Sequence, residues 1–259
     1  MKWVPFFSLM LRETRRFLKV IYQTIVTPLI STALYLLIFG VSIGSQIDKI
    51  GQFSYLAFLV PGLVTMGTLR NAFDNAAGSI ITAKFCGELE DLKIVPLSPL
   101  QICWANGLAA LFRGLIVGSI TLIIGSLFFL VENGELLSIA HPVPLLFFLA
   151  LGGFSFGNLG LTVAMFSKSF EEVNAINTFI LLPLIYLGGV FFSLDQLHPF
   201  WQALSKLNPL LYLVNGVRYG ILGMSEVSLG LSSLVAFSTF CLFQATAIWS
   251  LKKGSYHRW

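Results

Sequence analysis

Six runs of mostly apolar residues, at 20–43, 53–77, 104–130, 143–166, 172–192 and 227–250, constrain this chain more than any other feature. The hydrocarbon core of a bilayer is roughly 30 Å thick and a helix rises about 1.5 Å per residue, so each run is long enough to cross it. Lipid offers no partner to a backbone amide or carbonyl, and none of the runs alternates as a strand would; they read as helices. Hydrophobic residues make up 56% of the 259 and charged ones only 11%. The predicted fold is therefore all-α: a polytopic integral membrane protein, one transmembrane unit over 1–259 with little room for a soluble domain.

Basic residues orient the spans. Lys2, Arg12, Arg15, Arg16, Lys19, Lys84, Lys93, Lys168, Lys252, Lys253 and Arg258 fall on one side of the membrane, against Lys49, Lys206 and Arg218 on the other. The positive-inside rule puts both ends of the chain, 1–19 and 251–259, in the cytoplasm. The net charge of +4 is a topology signal, and no nucleic-acid-binding module accompanies it.

Ahead of the first span, Ser8, Arg12, Arg15, Arg16 and Lys19 recur at helical spacing, with Phe6, Phe7, Met10 and Phe17 largely opposite. That pattern predicts an amphipathic helix lying in the interface, or else a basic flank that only enforces topology. The first apolar run is too long for a signal peptide and no small-residue cleavage site follows it, so it reads as a signal anchor.

Little points to chemistry. Cys86, Cys103 and Cys241, with His141, His198 and His257, show neither disulfide nor metal-ligand spacing. Gly153, Ser155 and Gly157 match the G-x-S-x-G pattern of a serine nucleophile, which admits an intramembrane hydrolase. The pattern needs a strand, a turn and a helix, whereas here it lies inside an apolar helix. Small residues there, and at Gly114 and Gly118, also suit close helix packing. The sequence lacks a G-x-x-x-x-G-K-[ST] loop, so nucleotide-driven work would need a partner.

Ionisable residues within spans are few. Arg70 and Asp74 are spaced to pair on one helix face, either as a structural pair or by snorkelling to the interface. Arg113 lies deep enough to require the bundle interior, a subunit contact or a polar route, with Asp74 as its available partner. The spans show no carboxylate at midplane depth, which weighs against an ion-coupled carrier or channel without removing it as the alternative.

Two connections stand out. In 78–103, Gly87 breaks the emerging helix; "ELEDLKIV" then offers Leu89, Leu92 and Val95 on one side and Glu88, Glu90 and Asp91 around them. This predicts a short amphipathic helix stopped by Pro96 and Pro99, with Ser98 starting the third span. It is either a rigid acidic knuckle on the cytoplasmic face or a solvated loop helix. In 193–226, the apolar stretch Pro209 to Leu222 is too short to cross and too apolar for open water, which predicts short re-entrant or interfacial helices before the last span. Such helices form an outer cap or part of a gate.

"KFCGELEDLKIVPLSPLQ" (84–101), "LPLIYLGGVFFSLDQL" (182–197) and "LSKLNPLLYLVNGVRYGILG" (204–223), in this order and topology, resemble the ABC-2 type permease subunits of ATP-binding cassette exporters. The resemblance implies a multi-pass protein of the cell inner membrane that carries no cofactor itself. Two copies would pair with two copies of a separate ATPase, which binds ATP and Mg. It places Glu88, Leu89, Glu90, Asp91 and Leu92 in a coupling helix that docks on that ATPase, and Asn208, Pro209, Tyr212, Arg218 and Tyr219 in the outer re-entrant region. The implied cargo is hydrophobic or lipid-linked and moves outward, and Tyr35, Phe39, Phe58 and Tyr186 either line its route or pack the helices.

Overall fold

The computed structural model describes residues 3–44, 50 and 52–254. Lys2, Lys49, His257 and Arg258 lie outside them, as do the side chains of Leu92 and Lys93. Among the described residues the structure is helical, with one isolated bridge between Ile50 and Phe53.

The chain runs through α1 (Val4–Leu18) and α2 (Ile21–Tyr35), which continues as a π-helical segment over Leu36–Ile43. Then come α3 (Tyr55–Cys86), α4 (Pro99–Asn133) and α5 (Pro142–Phe166). The fifth span is α6 (Phe170–Ile176), a π-helical turn at Asn177–Leu181 and α7 (Leu182–Leu187). The outer pair α8 (Pro199–Leu207) and α9 (Pro209–Leu222) precedes α10 (Leu229–Lys253). Six of these segments are long and apolar enough to cross a membrane.

Proline opens α4, α5, α8 and α9, where the missing amide would be unsatisfied in any case. Ser98 caps α4 through a capping box with Gln101, so Pro99 begins that helix instead of ending the one before it. Three boundaries differ from expectation: α3 reaches Cys86, α4 starts at Pro99 and the fifth span ends at Leu187. With 32 and 35 residues, α3 and α4 are about 48 and about 52 Å long, well beyond the hydrocarbon core.

α3 is the axis of the bundle, packed against α4 and α5 and buried along most of its length. Close approach depends on glycine. A Cβ on Gly114 of α4 would sit 2.7 Å from the Thr68 carbonyl, and one on Gly160 of α5 would strike the backbone of Phe73. Gly157 bears in the same way on Ala110, where the separation would be 2.6 Å. These contacts make the small residues packing devices. α9 is wedged among α3, α5 and α10.

Candidate functional site

The cytoplasmic turn is built by one glycine. Gly87 ends α3 in the left-handed region, at φ 81°, and the Leu89 amide donates back to the Ala83 carbonyl at 3.1 Å. Pro96 biases Val95 against helix, so only a few residues remain between two breaks, too few to nucleate an α-helix. They form a four-residue 3₁₀ turn over Glu90–Lys93 instead of the expected amphipathic helix. Leu89 is fully buried under the turn, whereas Glu88, Glu90 and Asp91 face outward. Val95 does not join the apolar side as expected: it is exposed, and Ile94 beside it is 84% exposed.

Behind this turn lies an anchor that the sequence reading missed. Lys84, read there as a loop cation, is buried and donates from Nζ to the carbonyls of Met165 at 2.9 Å and Ser167 at 2.8 Å. It thereby neutralises the carbonyl end of α5.

α1 also docks on the bundle more firmly than a surface helix would. Phe6, Leu9 and Phe17 are buried, while Phe7, Leu11 and Leu18 remain exposed. Glu13, the sole acid in residues 1–19, is buried at the centre of the contact. It pairs with Arg12 at 3.0 Å and Arg16 at 3.2 Å and accepts a short hydrogen bond from Ser79 of α3. Arg16 in turn donates to the Asn75 carbonyl at 2.7 Å. A lone acid three residues before an arginine in a basic helix is the signal that could have exposed this latch.

The intramembrane charges meet in one cavity of about 300 Å³ between α2, α3 and α4, lined by Arg70, Asp74 and Arg113 with Ser31, Thr32 and Tyr35 among others. Arg70 Nε stands 4.0 Å from Asp74 Oδ2, but Asp74 takes its shorter bond, 2.6 Å, from Asn177 in the π-helical turn of the fifth span. Arg113 Nε is buried and finds no hydrogen-bond partner among the described residues. Tyr35, Phe39 and Tyr186 gather around Phe191, at ring separations of 5.7, 5.1 and 5.4 Å. Phe58 does not join them: it is fully buried beneath the Arg218 guanidinium, 3.8 Å from its ring centre, where it packs the helices.

The outer candidates are brought together as fastenings. Arg218 is completely buried; it donates to the Gly189 carbonyl at 2.6 Å and lies 3.5 Å from Glu226, whose other oxygen accepts from the Leu194 amide. Burial draws its guanidinium down to about 10 while Glu226 pulls the other way, so it is charged at neutral pH. Asn208 caps α9, which starts at Pro209, and donates to the Leu184 carbonyl at 2.6 Å. Tyr212 donates to the Lys206 carbonyl at 2.8 Å, and Tyr219 stacks on His141 at 4.6 Å. Asn215, which the sequence reading passed over, donates to the Val227 carbonyl and Ser232 and accepts from the Glu226 amide.

Ser155 gives its hydroxyl to the Leu151 carbonyl one turn back in an unbroken α5, so it stands on no nucleophile elbow. No group of three potential metal ligands occurs among the described residues.

The family model for the ABC-2 type transporter matches residues 5–222. The inner membrane transport permease YadH of Escherichia coli (strain K12) is 40% identical over 227 residues, covering 88% of this chain and 86% of that protein. Nodulation protein J of Rhizobium leguminosarum bv. trifolii is 25% identical over 228 residues, with coverage of 83% and 81%. Nodulation protein J of Rhizobium meliloti (strain 1021) is 24% identical over 238 residues, with coverage of 89% and 87%. With six spans, an acidic cytoplasmic turn after the second and a helix pair before the last, the chain belongs to the ABC-2 type transporter family, as a multi-pass transport permease of the inner membrane.

Proposed function

We propose that this permease is the membrane half of an ATP-driven exporter. It works as a dimer on two copies of a separate ATPase and moves an amphipathic or lipid-linked substrate outward. ATP and Mg belong to the partner chain; this one supplies the route. The cytoplasmic turn carries the reading: Glu88, Glu90 and Asp91 project from the end of the most buried span, next to an exposed Ile94, and Leu89 ties the turn to the core. Exposed acids around an apolar knob are suited to a cleft on a partner, where charge sets orientation and the apolar contact supplies affinity.

In this mechanism ATP binds the closed ATPase pair more tightly than the open one, and that difference in affinity is the free energy available to move the turn. The outer helices hold their places through Arg218 and Asn215 while the cytoplasmic side is pulled.

The test is co-purification of the permease with an ATP-binding cassette ATPase from the same cells, followed by ATP-dependent transport in proteoliposomes. Reversing two charges, Glu90→Lys with Asp91→Lys, should abolish both association and stimulation of hydrolysis while the permease stays folded. Undiminished ATPase association by the reversed variant sinks the reading. Transport driven by an ion gradient without ATP would favour the carrier alternative, for which Asp74 in the cavity is the one supporting observation.

A further inference from the structure

The cavity between α2, α3 and α4 holds two guanidiniums and one carboxylate, Arg70, Arg113 and Asp74. That carboxylate is largely committed elsewhere. Its Oδ1 is bonded to Asn177 at 2.6 Å, and its contact with Arg70 is loose, at 4.0 Å. Arg113 Nε is buried and without a hydrogen-bond partner among the described residues. An arginine on a membrane span is costly even when paired, and a buried unmade hydrogen bond adds to that cost. The site therefore retains about one uncompensated positive charge beside donor groups.

Its position narrows the ligand. The residues of α3 from Tyr55 to Leu69 are apolar or small, and the ionisable ones begin at Arg70, towards the helix end that the basic loops place in the cytoplasm. The cavity is thus on the cytoplasmic side of the membrane. α2 turns Thr27, Pro28, Ser31, Thr32 and Tyr35 to the cavity and carries Ile30 and Leu34, each more than half exposed, on another face, so one wall of the cavity is a lipid-facing helix. A headgroup could sit at the arginines while its chains pass α2 into lipid. A volume of about 300 Å³ matches a small headgroup and is too small for a whole amphiphile.

We infer that this cavity is a binding site for the oxyanion headgroup of an amphiphile, phosphate or carboxylate, held by Arg113 and Arg70. A guanidinium presents its N–H groups as a planar fork that matches such a group two bonds at a time. Thr32 and Thr121, whose hydroxyls lie 3.4 Å apart on facing helices, supply neutral donors in the same pocket. Asp74 keeps the site from binding any anion indiscriminately and, through Asn177, ties its occupancy to the π-helical turn of the fifth span. The site rests on the exporter reading only in being called the place where cargo is first recognised; binding itself needs no ATPase.

The experiment is native mass spectrometry of the intact permease in a non-ionic detergent. The probes are dioctanoyl phosphatidic acid, dioctanoyl phosphatidylcholine and inorganic phosphate. Wild type should retain the phosphatidic acid about tenfold more strongly than the phosphatidylcholine, with little competition from inorganic phosphate at the same concentration. Arg113→Gln should erase that preference, a loss of about tenfold for one charge-assisted bond, and Asp74→Asn should raise retention. Equal retention of the two lipids by wild type overturns the inference, as does an Arg113→Gln protein that elutes as a single species and keeps the preference. Displacement of the lipid by inorganic phosphate overturns the amphiphile and leaves a free-oxyanion site. Should Arg113→Gln fail to fold, the wild-type preference and the Asp74→Asn response decide. Lipid preference without ATPase association would remove the exporter reading and leave the site, while association without lipid preference would do the reverse.

Discussion

Removing Arg218 should destabilise the protein from its outer end. The guanidinium is buried at 0% exposure, donates to the Gly189 carbonyl at 2.6 Å, lies 3.5 Å from Glu226 and covers the Phe58 ring. Arg218→Met fills similar volume but strands the Glu226 carboxylate, whose side chain is only 6% exposed. Breaking one partner of a buried pair costs about 3–5 kcal/mol. For a chain of this size that is a melting-point drop of roughly 6 °C or more. Adding Glu226→Gln removes the stranded charge while its amide oxygen still accepts from the Leu194 amide, so the double variant should recover at least half of the loss. Thermal unfolding in detergent, followed by tryptophan fluorescence, measures both. Arg218→Met melting with wild type would show that the pair is not holding the outer segment. A double variant weaker than the single one would show that the charge on Glu226 is not the source of the loss.

Three other perturbations act elsewhere. Glu13→Ala should loosen α1 by about 1–2 kcal/mol, since its arginine partners stay partly solvated, and speed amide exchange over residues 4–18 without changing the other helices. Gly160→Ala should cost about 1–3 kcal/mol, read as a lower melting point, because the new methyl meets the backbone of Phe73. Gly78→Ala should raise stability by roughly 0.5–1 kcal/mol, because nothing lies within 4 Å of the added carbon and the residue is inside α3; ATPase stimulation that survives this change would mark α3 as a rod, and its loss would mark Gly78 as a hinge.

The spans were legible because a bilayer imposes length and apolarity on every segment that crosses it, and Pro142–Phe166 falls within a residue of the expected 143–166. The cytoplasmic half of α3 was hidden by the same rule. Asn75, Ser79 and Lys84 lower its apolar content and mimic a loop, but each is buried against protein, where polarity is met by partners instead of water. Arg218 was visible as a residue but not as a buried one. Glu226 is eight positions away across the end of α9, outside the helical spacings at which pairs can be read from sequence. The amphipathic helix expected at 88–95 failed because periodicity ignores the room left between Gly87 and Pro96. The gathering of Arg70, Asp74 and Arg113 in one cavity was legible in outline, the first pair by spacing and the third because a deep arginine needs a carboxylate; the cavity itself forms only once α4 lies against α3.

The polar residues of α3 also explain how one helix could serve both ends of the proposed mechanism. Over ten residue steps, about 15 Å of rise, it holds three other elements by hydrogen bonds. Lys84 grips the end of α5, Ser79 and Asn75 hold α1 through Glu13 and Arg16, and Asp74 holds the fifth span at Asn177. The 3₁₀ turn hangs directly from the same helix, with Leu89 buried at the joint. A load applied to Glu90 and Asp91 therefore meets a packed rod before it meets any flexible connection, and a close-packed interior transmits such a displacement instead of absorbing it. The first polar contact beyond the latch is the headgroup cavity, so the proposed cargo site and the ATPase turn are joined through a single helix, with no chain of loops between them.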